Sequence, residues 1–114
     1  MDDLDKLIEA VEAGGDVDRS LPWSLALDVK TGMIARDAYR GSLDAALRLH
    51  EALLPGWHVA EISEAAFRLD HDGKHWLVAV AERAGKGMSE ATGPYMSRAW
   101  LLAILRALKA KAAQ

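Results

Sequence analysis

Ala66-Phe-Arg-Leu-Asp-His-Asp-Gly-Lys-His-Trp-Leu-Val-Ala-Val-Ala-Glu82 is the stretch whose reading decides the fold. Two apolar runs flank Asp72-Gly73, a pair suited to a type I′ turn because both central residues there need positive φ. The local reading is a β-hairpin. In its second arm, His75 to Glu82, Trp76, Val78 and Val80 point one way and Leu77, Ala79 and Ala81 the other. A strand apolar on both faces belongs in the middle of a sheet covered on both sides. The rest of the chain is expected to supply that cover as helices.

Working back from the hairpin, Trp57-His-Val-Ala-Glu-Ile62 reads as a short strand pairing with it, which makes a three-stranded antiparallel meander. Before it, Ser42 to Leu54 carries a helix pattern, with Ser42 as N-cap, Asp44 in the first turn and Pro55-Gly56 as the stop. Its expected apolar stripe is Leu43, Ala46, Leu47, His50, Leu53 and Leu54. Near the start, Leu4, Leu7, Ile8 and Val11 repeat at helical spacing, with Asp2 or Asp3 as cap and Gly14-Gly15 as terminator. Ser20 to Gly32 reads as a helix with Pro22 in its first turn and Gly32 as its stop. The alternation of Leu25, Leu27 and Val29 permits a strand there instead. Met33 to Gly41 reads as a connector anchored by Tyr39.

Working forward, Arg83 to Gly93 holds Gly85, Gly87 and Gly93 and reads as a polar, mobile loop. Pro94 to Leu108 is the final helix. Leu101, Ile104, Leu105 and Leu108 form its core stripe, and Met96, Trp100 and Ala103 widen it beyond one face. A helix this apolar is either central or shared with a partner. The expected architecture is a single α+β domain over residues 1–114, a three-stranded antiparallel sheet sandwiched by helices in the order α-α-α-β-β-β-α.

Composition narrows the functional classes. The chain has 114 residues, 51% hydrophobic and 27% charged, which fits one globular domain with a modest core. With no cysteine, disulfides, thiolate chemistry and cysteine zinc sites are excluded, and a reducing cytoplasm is the expected setting. The net charge of −3 gives no sign of a basic nucleic-acid surface. Residues 1–6 are acidic rather than signal-like, and the longest apolar run is too short to span a bilayer, so no membrane is expected.

Ala38-Tyr-Arg-Gly-Ser-Leu-Asp-Ala-Ala-Leu47, closed by Leu53-Leu-Pro-Gly-Trp57, resembles the small phage proteins grouped as the phage ABA sandwich domain. So do Glu90-Ala-Thr92 and the alanine-rich stretch Ala99 to Ala107. The resemblance spans residues 38 to 110 and rests on helix caps and core positions. It implies a small helix–sheet–helix domain encoded by a phage or prophage. The family carries no assigned activity, so the resemblance transfers no functional residue.

No catalytic residue is assigned. G-x-S-x-G is absent, and His50 and His58 read as hydrogen-bonded structural histidines. Asp70-His-Asp-Gly-Lys-His75 holds metal-ligand types, but the hairpin turn explains Asp72 and Gly73. As a calcium loop counted from Asp70 it fails, with His75 where Gly is needed and Ala81 where Glu is needed. No metal and no cofactor are expected. Gly85-Lys-Gly-Met-Ser89 lacks the spacing of a phosphate loop. Still, it leads towards a helix N-terminus, where N–H groups favour anions, and Arg83, Lys86, Ser89, Thr92 and Arg98 could surround such a site. The leading expectation is a non-enzymatic interaction module with a protein partner. The alternative is an anionic or nucleotide ligand at that site. Trp100 with Met96, Ala103 and Ala107 is the expected interface of a homodimer, and the competing reading has the N-terminal helix, or Pro22 to Val29, cover that face within one chain.

Overall fold

The computed structural model describes residues 3–14, 23, 27–65, 75–83, 85 and 87–112. The fold class and element order are those expected, with four helices and a three-stranded antiparallel sheet among the described residues.

Helix α1 runs Asp3–Ala13 and buries Leu7, Ile8 and Val11. It ends where Gly14 takes φ +73, the left-handed conformation that favours glycine. Helix α2, Val29–Tyr39, corrects the sequence reading in two places. Gly32 lies inside the helix rather than stopping it, and 33–39 is helical rather than a connector. The decisive residue is Asp28, whose side chain accepts from the Thr31 N–H at 2.8 Å and from the Thr31 hydroxyl at 2.8 Å. That cap sets the start of α2 at Val29. Gly32 suits close packing, since a Cβ there would lie 3.3 Å from Cβ of Trp23. Of the segment read as helix or strand, residues 20–22 and 24–26 lie outside the described ones. Trp23 and Leu27 are buried, and Tyr39 anchors α2 with no exposure at all.

Helix α3, Leu43–Leu53, starts as expected with Ser42 Oγ accepting from Ala45 N–H at 3.1 Å. Its buried face is rotated from the expected stripe. Ala45, Ala46, Leu49 and His50 are buried, whereas Leu43 and Leu47 are each 45% exposed. Ala46 and His50 face inward as expected, His50 onto hydrogen-bond partners, and Leu49 takes the core place expected for Leu47.

The sheet has the order β1-β2-β3: β1 Trp57–Ala65, β2 His75–Glu82 and β3 Met88–Gly93. The expected central strand is central. Trp57 pairs with Glu82 and Ala65 with His75, with an irregularity between Val59 and Glu61. The Asp72-Gly73 turn and the expected first arm of its hairpin lie outside the described residues. The third strand comes from a segment read as loop: Met88–Gly93 pairs with β2, Gly93 opposite Trp76 and Met88 opposite Ala81. Its inward residues Ser89, Ala91 and Gly93 are small because the last helix lies against them. A Cβ on Gly93 would approach the Ala99 nitrogen to 3.2 Å.

That helix, α4 (Met96–Ala112), is the centre of the molecule. It touches β2 and β3 on one side and α1, α2 and α3 on others. Residues 99–105 and Ala107 are buried around its whole circumference. The layering therefore differs from a sheet held between helices: the described helices gather on one face of the sheet, with α4 in the middle. On the opposite face the side chains of His58, Glu61, Glu90 and Thr92 are exposed, and Ala79 is small enough to be shielded by its cross-strand neighbours Glu61 and Glu90. The expected dimer face is also corrected. Trp100 is only 7% exposed within one chain, Ala103 and Ala107 are fully buried, and Met96 is half-buried. The exposed tryptophan on which the homodimer rested is absent because α3 supplies its cover.

No helix among the described residues is long and apolar enough to cross a membrane.

Candidate functional site

Two polar nodes sit on α4. The first joins His50 of α3, Trp57 of β1 and Trp100. Trp100 Nε1–H donates to His50 Nδ1 at 3.1 Å, so Nδ1 is the acceptor and the ring proton of the neutral imidazole sits on Nε2. That Nε2–H then donates to the Trp57 carbonyl at 3.0 Å. The two rings meet edge to face with centroids 5.8 Å apart. Both imidazole nitrogens are consumed inside the core, so His50 is a strut between three elements and has no lone pair to offer a substrate.

The second node is Arg98, in the first turn of α4. Its guanidinium carbon lies 3.7 Å from the Tyr39 ring centroid and 4.8 Å from that of Tyr95. Its Nε–H donates to the Tyr39 carbonyl at 3.1 Å. The group is thus held on two aromatic faces and one hydrogen bond, while Nη1 and Nη2 have no hydrogen-bond partner among the described residues. A guanidinium presents donors in a planar fork that matches carboxylate or phosphate oxygens.

Arg98 lines a half-open cleft of about 370 Å³. Its walls are the C-terminal turn of α1 from Val11 to Gly14, the end of β3 with Thr92 and Gly93, then Pro94, and the α4 face of Arg98, Leu102 and Arg106. Arg106 bridges the walls: Nη2 meets Glu12 Oε2 at 2.6 Å and Nη1 donates to the Glu90 carbonyl at 2.9 Å. That second bond reveals the strand's polarity. Glu82 N–H donates to the Gly87 carbonyl at 3.0 Å, so the main chain of residue 87 faces β2. Alternation then turns the main-chain groups of residues 88, 90 and 92 away from β2, as the Glu90 bond to Arg106 requires. The Thr92 N–H accordingly points to the open edge of β3, where Thr92 lines the cleft.

Of the five residues expected to surround an anion, Thr92 and Arg98 line this cleft together. Ser89 does not: its hydroxyl donates to the Ala103 carbonyl at 2.8 Å and ties β3 to α4. Arg83 is exposed in the turn after β2, with its N–H bonded to the Gly56 carbonyl, and Lys86 lies outside the described residues. That turn packs around Glu82, where a Cβ at Gly85 or Gly87 would collide with the carboxylate. Sequence reasoning missed Arg106 and Glu12. The signal for Arg106 was present in the spacing of Arg98, Leu102 and Arg106, every fourth residue and so one face of the last helix, whereas nothing local points to Glu12. Asp70 and His71 lie outside the described residues, and among those described no three His, Cys, Asp or Glu gather to hold a metal.

No protein-family model, curated protein or solved structure matches this chain.

Proposed function

We propose that the protein works by binding rather than by catalysis, and that the group it binds is a carboxylate or phosphate held in the cleft between α1, β3 and α4. The observation that carries this reading is the Arg98 guanidinium. Two tyrosine rings and the Tyr39 carbonyl fix it, and its Nη groups are left for a ligand. Fixing a charged donor beforehand removes the side-chain entropy that binding would otherwise cost. Thr92 lines the same cleft, and its outward N–H is a neutral donor. The cleft is near the lower end of the roughly 300–1,000 Å³ usual for ligand pockets, which favours a small ligand over a nucleotide. The resemblance to phage ABA sandwich proteins supports a setting as a phage or prophage accessory protein in a bacterial cytoplasm.

The test is a thermal-shift panel of acetate, succinate, inorganic phosphate and nucleotides on wild type and Arg98→Gln. A ligand that binds only the native state raises the melting temperature with concentration. A shift in wild type that disappears in Arg98→Gln supports the proposal. Equal shifts in both proteins contradict it.

A second reading, docking to a protein partner, has its own observation. Val29 and Met33, one turn apart on α2, are 72% and 64% exposed, and Leu43 and Leu47 repeat that spacing on α3. Apolar side chains of this size in helical register form a surface another chain could cover. Charge substitutions at Met33 and Leu47 that abolish capture of a partner, while leaving anion binding intact, would favour this reading.

A further inference from the structure

We infer that the ligand of this cleft is a small zwitterion, with a carboxylate and an ammonium group close together as in a free amino acid. The inference rests on the anion-binding reading above and narrows it. The cleft has two chemically opposite walls. One is formed by Arg98, whose Nη1 and Nη2 donors are unspent among the described residues, and by Thr92, whose N–H turns to the open edge of β3. The other is the last turn of α1. That helix ends at Ala13, and the Gly14 N–H bonds back to the Val11 carbonyl at 3.3 Å. The carbonyls of Glu12 and Ala13 therefore lie beyond the last intrahelical donor. The same turn carries the negative end of the helix dipole and the Glu12 carboxylate.

Arg106 does not erase this polarity. Its guanidinium is shared between Glu12 Oε2 and the Glu90 carbonyl, and the Glu12 side chain remains 43% exposed, so its other oxygen stays available. A plain anion entering beside Arg98 would meet the carboxylate and carbonyls of the facing wall. A zwitterion satisfies both walls: its carboxylate takes the Arg98 fork and the Thr92 N–H, and its ammonium gives its three donors to Glu12 and the carbonyls at the end of α1. Leu102 in the lining gives a short apolar side chain an apolar surface to pack on.

Calorimetric titration of the full chain with glycine, alanine, acetate and methylammonium tests this directly. Glycine and alanine are expected to bind wild type about tenfold more tightly than acetate, the factor that one extra charge-assisted hydrogen bond supplies. Glu12→Gln is expected to remove that margin and to leave acetate binding no weaker. Equal binding of glycine and acetate to wild type, a comparison that needs no variant, overturns the inference while leaving the anion site standing. So does a Glu12→Gln protein that loses both ligands in equal proportion. Wild type that binds none of the four ligands, nor inorganic phosphate, overturns both readings.

Discussion

The His50 node and the Arg98 node are both polar groups set against the same apolar helix, and they differ in what is left over. At His50 every hydrogen-bonding atom is spent inside the protein, and the ring is buried. At Arg98 one nitrogen and the flat faces are spent and the ends are not. A buried polar group with all its bonds made holds a fold together, because removing it leaves its partners unsatisfied. A charged group held rigidly with donors to spare at a cleft has a geometry that packing alone does not require. The first kind of node belongs to stability and the second to binding, and the two can be separated by measurement.

The largest effect is expected at the first node. His50→Ala removes the acceptor for Trp100 and the donor to Trp57 and opens a void, so urea denaturation should show a loss of about 4 kcal/mol. A loss below about 1 kcal/mol would mean that the node is incidental. Leu105→Ala tests the helix that carries both nodes. Leu105 is fully buried, and truncation should cost about 3 kcal/mol by the same measurement, within the range for core leucines. Arg98→Gln should cost much less, about 1 kcal/mol for the lost stacking on Tyr39 and Tyr95, yet abolish anion binding. If it unfolds the protein as severely as His50→Ala, the contrast between the nodes fails.

The smallest effect concerns Asp28. The Thr31 main-chain N–H, with the Thr31 hydroxyl after it, holds this carboxyl below its ordinary value of 3.8. A folded value below the unfolded one means that the cap contributes stability above about pH 4 and loses it as pH falls through the folded value. Melting curves between pH 2 and 5 should therefore be flatter for Asp28→Asn, which keeps an oxygen to cap the helix without the titration.

How far these features were legible in the residues depended on whether their causes were local. Caps and periodicity are local, so α1, α3, α4 and the central place of β2 could be read directly. Asp28 was passed over because Gly32 looked like a stop. What suits glycine to that position is the Trp23 side chain, brought close by tertiary packing. Strand β3 was hidden because Ser89, Ala91 and Gly93 look like loop residues. They are small because α4 presses on them, a demand that exists only once the layers are stacked. The shift of the α3 core position from Leu47 to Leu49 has the same origin, with His50 pinned to Trp57 and Trp100. Of the cleft, Thr92 and Arg98 could be proposed as neighbours because they flank the start of α4. Glu12 could not, because 94 residues separate it from Arg106.

The most direct test of the contrast is a heteronuclear NMR titration with glycine, following the backbone amides and the Arg side-chain resonances. The account predicts saturable shifts at Thr92, Gly93, the Arg98 guanidinium and the Glu12–Gly14 amides, no change at the Trp100 indole N–H or the His50 ring, and none of these shifts in Arg98→Gln. Shifts centred on His50 and Trp100, or a pattern that persists in Arg98→Gln, would contradict it.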